Sequence, residues 1–189
     1  MVLPILAYGF PVLRKTGEVV TKDYPGLQKL LDDMFETMYA AEGIGLAAQQ
    51  VGVDLKIFII DAKPYEEKYP EVKDFKQVFI NSEIFEESGD EWTFDEGCLS
   101  FPGIREDVDR KSNLKIRYVD ENFTEHVEEY DGILARVIMH EYDHNRGVFF
   151  IDRINPLRRM LLKNKLNNLM KGAVDVKYKM KFPQQKKKS

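Results

Sequence analysis

The chain has 189 residues, 43% of them hydrophobic and 32% charged, with a formal net charge of −4 and one cysteine. That length supports one domain with a real core, and the balance is that of a soluble globular protein. No apolar run approaches the roughly 20 residues of a membrane span, and a lone cysteine excludes an internal disulfide. The start, Met1-Val2-Leu3-Pro4-Ile5, lacks the basic and long apolar segments of a signal peptide, so a reducing cytoplasm is the expected compartment.

In chain order, the first clear element is an amphipathic helix over 25–42. Leu27, Leu30, Leu31, Met34, Phe35 and Met38 recur at three and four, which makes one apolar stripe. Asp23 is the expected N-cap, Pro25 suits the first turn and Gly43 ends the helix. The segment from Gly43 to Gly52 is small and flexible, then apolar. Its spacing does not match a phosphate-binding loop, but its glycines would let backbone approach a ligand closely. Leu55 to Asp61 is predicted as a buried strand, and the charged stretch 62–76, with Pro64 and Pro70, as a surface excursion. Gln77 to Phe85, Leu114 to Asp120 and Glu125 to Tyr130 are further strands, with Asp120-Glu121-Asn122-Phe123 as a hairpin corner. A helix follows over Gly132 to Arg146. After Asn155-Pro156 a last helix runs to about Met170, with Leu157, Leu161, Leu162, Leu166 and Leu169 on its apolar side.

From Arg158 onward there are 11 Lys and Arg against one Asp, a net of +10, which leaves −14 on the rest. The end, 177–189, reads as a frayed basic extension. Together these elements predict an α+β fold: antiparallel β-sheets packed around a central helix, with an N-terminal amphipathic helix and a C-terminal helix. The domain is expected to span 1–172, with a basic tail over 173–189.

The chemistry concentrates at His140-Glu141-Tyr142-Asp143-His144. On a helix of about 3.6 residues per turn, positions four apart share a face. Both imidazoles can reach one divalent metal, and Glu141 sits where it can handle the proton of a metal-bound water. The alternative is a surface helix with solvated histidines. The preceding apolar residues Ile133, Val137 and Ile138 argue for burial, where a histidine pair needs a polar reason. His126, among glutamates in a strand, reads as exposed and not as a ligand. For a third ligand, Cys98, Asp143 and other carboxylates stay open. Asp143 points away from the histidine face and suits an orienting role. A thiolate is a strong, soft ligand, although Cys98 taken alone reads as an inert buried thiol.

Three segments, GIGLAAQQ, EGCLS and HEYDH, in this order and separation, resemble the peptide deformylase family of bacterial type. The likeness covers most of the chain and includes the helix through Asp32-Asp33-Met34-Phe35-Glu36-Thr37-Met38-Tyr39. It departs at Gln49, often proline or threonine, and at Asn145, where leucine is common. The resemblance implies that Cys98, His140 and His144 hold one divalent metal, with Fe²⁺ favoured and Zn²⁺ also suited to such ligands. It implies Glu141 as general base and acid. Gln50, through its side-chain amide, and Leu99, through its backbone N–H, would face the reacting oxygen, and Ile44 and Gly45 would flank the substrate. The substrate implied is a nascent peptide beginning with N-formylmethionine, cleaved to formate and a free amine.

A methionine side chain needs an apolar slot. Ile133 and Val137 precede His140 by seven and three residues and share its helix face. With Ile44 and Phe94 they are the expected lining, and Arg105 is expected to hold the peptide beyond methionine. A monomer is expected, with no membrane contact, and the basic C-terminal segment offers a transient ribosome contact. Two other readings compete. A zinc endopeptidase takes a third ligand further downstream, where only Asp152 and no further histidine is offered. A structural metal module needs four Cys or His ligands, and this chain has one cysteine.

Overall fold

The computed structural model describes residues 1–184. Strands and helices follow in the order β1 (Ile5–Leu6), α1 (Leu27–Ala40), β2 (Gly45–Ala47), β3 (Ile57–Asp61), β4 (Lys76–Gly97), β5 (Arg105–Val119), β6 (Glu125–Asp131), α2 (Gly132–Asn145), α3 (Pro156–Leu161), α4 (Lys163–Met170) and β7 (Met180–Lys181). The strands β2-β3-β4-β5-β6 form one antiparallel sheet in that order. A separate parallel pair joins β1 to β7. The α+β expectation holds.

The alternation of β3 explains how the layers are built. Side chains along a strand point to opposite faces in turn. Ile57 and Ile59 join Leu31, Met34 and Met38 of α1 in one core cluster. Phe58 and Ile60 join Ile133, Val137 and Ile138 of α2 in another. The sheet therefore lies between two helices, and β3 is apolar throughout because both its faces are covered. A third cluster gathers Leu6, Phe101, Phe149, Phe150 and Leu169 around the turn that follows β4.

Several boundaries differ from the sequence reading. The N-cap of α1 is Gly26, at φ +77, and not Asp23. The left-handed turn at Gly26 makes the entry that a side-chain cap would otherwise make. β4 runs on to Gly97, with register shifts between Ile80 and Glu83, Ile84 and Glu86, and Ser88 and Glu91. Beyond the reach of β6, β4 and β5 form a two-stranded ribbon. Buried and exposed residues alternate along it, but the buried face carries Glu96, Glu106 and Arg110, so it has no clean apolar alternation to read. The predicted hairpin at 120–123 is present, with the Asp120 carboxylate accepting the N–H groups of Asn122 and Thr124.

The excursion at 62–76 is not merely surface. Two short 3₁₀ turns, Lys63–Tyr65 and Pro70–Val72, are anchored by fully buried Ala62 and Val72. The single C-terminal helix is two, broken at Leu162. Leu162, Leu166 and Leu169 share one buried face, whereas Leu157 and Leu161 lie on another and are each 72% exposed. The expected fraying from residue 177 is also corrected. Tyr178, Met180 and Phe182 face inward while Lys177, Lys179 and Lys181 face out, and β7 pairs Met180 with Ile5 and Lys181 with Leu6. Residues 185–189 of the predicted tail lie outside the described residues. Among the described residues, no helix is long and apolar enough to cross a membrane.

Candidate metal centre and cleft

Helix α2 carries both motif histidines. Its apolar residues pack against the sheet, and the last two turns bring His140 and His144 beneath the turn between β4 and β5. That turn presents Cys98 immediately after the strand ends. One ligand atom from each of Cys98, His140 and His144 falls within 4.8 Å of the others. Cys98 Sγ lies 3.2 Å from His144 Nε2. His140 Nδ1 lies 2.9 Å from Glu96 Oε2, which leaves its Nε2 free to face the cluster. A metal-bound histidine commonly gives its other ring nitrogen to a carboxylate in this way. One thiolate and two imidazoles at this separation fit a divalent transition metal.

Burial pulls His144 well below its ordinary pKa, with His140 and Arg110 adding to the effect, so its imidazole is neutral and able to ligate. Burial also lowers His140, but its bonds to Cys98 and Glu96 outweigh that and raise it. A bound cation would displace that proton. Cys98→Ser is expected to lower metal retention by at least about tenfold, because a hydroxyl is a far poorer soft ligand than a thiolate. Elemental analysis of the purified variant checks this, and full occupancy would remove Cys98 from the centre.

Glu141 is buried, and its Oε2 has no hydrogen-bond partner among the described residues. Burial raises its carboxyl to about 7. The carboxylate rests directly on the backbone of Gly45: a Cβ added there would lie 2.7 Å from Glu141 Cγ and Cδ. Glycine at 45 is thus what lets β2 and Glu141 share the space.

Gln50 sits in the 3₁₀ turn Ala48–Val51. Its Oε1 accepts the Ala47 N–H at 2.8 Å, so the amide nitrogen is the end turned to the site. Nε2 donates to Ser100 Oγ at 3.2 Å and reaches Cys98 Sγ at 3.5 Å. A cavity of about 420 Å³ opens over this cluster. Of the residues expected around a substrate, Ile44, Gly45, Phe94, Arg105 and Val137 line it, as does Leu99. Ile133 does not: it is buried in the core with Phe58 and Phe79. Arg105 is tied to Asp95 at the rim, with its Nε donating at 2.6 Å. His126 is half-buried and bonded to Asp120, remote from the ligand cluster.

Three features escaped the sequence reading. Pro64 and Tyr65, from the excursion, line the cavity. Arg136 lines it too and stacks over Trp92, 4.6 Å from the ring centre. The third is Glu96, a positioning residue for His140. Glu96 accepts Arg110 Nε at 2.7 Å, Arg110 Nη2 at 3.0 Å and Arg136 Nη1 at 2.9 Å. Burial alone would raise its carboxyl, but the bonds from His140 and Arg110 outweigh this and hold it well below the usual range. Arg110 also donates to Asp143 at 2.7 Å, and Asp143 takes both Nε and Nη2 of Arg153 at 2.6 Å. The orienting role expected of Asp143 therefore runs through arginines. One signal was available: Arg136 sits inside the apolar run Ile133–Met139, and a cation there demands a buried acid. Nothing in the sequence marked Glu96 as that acid among so many carboxylates.

One thiol and two imidazoles beside a buried carboxylate in a cleft are the donor set and base that metal-dependent hydrolases use. The family model for polypeptide deformylase matches residues 2–160. Peptide deformylase of Christiangramia forsetii is 50% identical, over 99% of each chain, and that of Salinibacter ruber is 42% identical over 94% of this chain and 93% of its own. Among solved structures, a peptide deformylase from Legionella pneumophila superposes with a TM-score of 0.78 at 36% identity, covering 89% of this chain and 95% of its own. A Plasmodium falciparum peptide deformylase in complex with an inhibitor gives 0.76 at 36% identity, covering 88% and 98%. The chain belongs to the polypeptide deformylase family.

Proposed function

We propose that this enzyme hydrolyses the formamide of N-formylmethionyl peptides, releasing formate and a free amino terminus, with Cys98, His140 and His144 as the metal ligands. The observation that carries the reading is the convergence of these three groups, of which Cys98 and His140 line a largely apolar cavity, beside a buried carboxylate with an oxygen unpartnered among the described residues. When bound, the metal supplies Lewis acidity, making water nucleophilic near neutral pH and polarising the formyl oxygen.

The protein's own groups do the rest. Glu141 takes a proton from the attacking water and passes it to the departing nitrogen. The Gln50 side-chain amide and the Leu99 N–H face the oxygen on which charge develops; losing one such donor typically costs about 10²–10³ in rate. Val137, Ile44 and Phe94 hold the methionine side chain, and Arg105 the peptide beyond it. Fe²⁺ is the favoured metal, with Zn²⁺ also compatible with these ligands. It is expected to act as a monomer in the cytoplasm, where formylated nascent chains are made. The outward row Lys177, Lys179 and Lys181 offers a transient electrostatic contact to ribosomal RNA. An endopeptidase reading has less support: Asp152, its downstream candidate, is committed to Arg14 and to the Phe149 N–H.

Formate release from formyl-Met-Ala-Ser, with metal content measured on the same sample, tests the activity. No formate from a metal-loaded enzyme refutes it. Across formyl peptides with Met, Leu, Ala and Asp at the first position, Met is expected to exceed Ala by about 10–100-fold in kcat/KM. That range corresponds to about 1.5–3 kcal/mol for burying a large apolar side chain. Equal rates across the series would rule out the apolar slot.

A further inference from the structure

The turn after β4 is tethered from three directions. Tyr8 N–H donates to the Ser100 carbonyl at 2.9 Å, Gln50 Nε2 donates to Ser100 Oγ at 3.2 Å, and the Tyr178 hydroxyl donates to the Leu99 carbonyl at 2.7 Å. The Leu99 side chain meanwhile lies so close over Gly43 that a Cβ there would fall 2.7 Å from its Cδ1. We propose that Tyr178 is a positioning residue for deformylation, fixing the Leu99 backbone, and so the direction of its N–H, from the far end of the chain. The inference rests on the role given above to the Leu99 N–H.

Leu99 has two soft backbone dihedrals. The Leu99 N–H lies in the Cys98–Leu99 peptide plane, whose carbonyl accepts the Phe101 N–H at 2.9 Å; with the following plane held at its carbonyl by Tyr178 and the side chain seated on Gly43, the residue that carries that N–H is clamped on both sides. An oxyanion donor works only when aimed before the reaction begins. The hydroxyl can act as a fixed point because its own segment is secured. Ile5 N–H donates to the Lys179 carbonyl and Ala7 N–H to the Lys181 carbonyl, each at 2.9 Å. Met180 packs into two core clusters and Phe182 into one. The Tyr178 ring packs against the core cluster that contains Ile5, Met34 and Met38. Burial, with the nearby Cys98 adding to it, raises the phenol well above its ordinary range, so the hydroxyl stays a donor.

The test compares metal-loaded wild type with Tyr178→Phe, which deletes one oxygen and keeps the ring. On formyl-Met-Ala-Ser, kcat is expected to fall about fivefold, as for the loss of one net hydrogen bond. KM should stay within about twofold, metal content should be unchanged, and Tm should fall by no more than about 2–4 °C, the shift for one net hydrogen bond in a domain of this size. Amide hydrogen exchange over residues 98–101 should quicken while that of α2 does not. Met180→Ala loosens the same strap but keeps the hydroxyl, so it should lower Tm with a smaller loss of kcat. Wild-type kcat and exchange in Tyr178→Phe would overturn the proposal. So would an equal kcat loss in Met180→Ala, because the strap would then be merely structural. If wild type itself releases no formate, the deformylase reading fails, and exchange at 98–101 still decides whether Tyr178 restrains the turn.

Discussion

Glu141→Gln is expected to retain its metal and lose nearly all formate release. The amide keeps the shape of the carboxylate but cannot accept the proton of the attacking water. General acid–base catalysis is worth about 10²–10⁴, and in the proposed mechanism one group serves both the attack and the departure, so a loss at the upper end follows. The geometry makes the variant a clean one. Among the described residues Glu141 Oε2 has no partner to strand, and the Gly45 backbone beneath leaves room for an isosteric side chain but for little else. Metal analysis and turnover on one preparation check the result. A variant that turns over normally would remove Glu141 from the chemistry, and one that loses metal would assign it to the ligand set instead.

Glu96→Ala should be the most destabilising single change at the site. It leaves Arg110 and Arg136 buried without their shared acid and His140 without its acceptor. Breaking a buried ion pair from one side typically costs about 3–5 kcal/mol, a large part of the stability of an ordinary domain. Urea unfolding of metal-free protein measures the loss without the contribution of bound metal. Where the variant still folds, its metal affinity is expected to fall about 10–100-fold, the usual effect of removing a carboxylate that orients a ligating histidine. Unaltered stability would mean that the arginines find other partners and that Glu96 is not the hub of the network.

What could be read from the sequence followed periodicity and local motif. The α1 stripe, the β3 run and the HEYDH spacing each carry their signal within one element. The cysteine joined the histidines only through the family likeness, since no local pattern links Cys98 to His144. The ribbon of β4 and β5 was invisible because its side chains are charged on both faces and its register is broken by shifts near Gly89. The C-terminal segment shows the opposite failure. Lys177-Tyr178-Lys179-Met180-Lys181-Phe182 alternates strictly, as a half-buried strand should, but its charge drew the reading toward disorder. The Glu96 network lay beyond reach, because three-dimensional closure alone brings residues 96, 110, 136 and 143 together.

The pairing of Ile5 with Met180 sets an order of events during synthesis. A ribosome makes the chain from its amino end, so Ile5 waits until Met180 has been made before it can pair. The sheet, α2 and the histidines can assemble earlier, since domains tend to fold as their residues emerge. Until the closing residues clear the exit tunnel, a nascent copy holds its cleft without the brace on Leu99. On the proposal above, a final gain of about fivefold in turnover therefore arrives only when β1 and β7 pair.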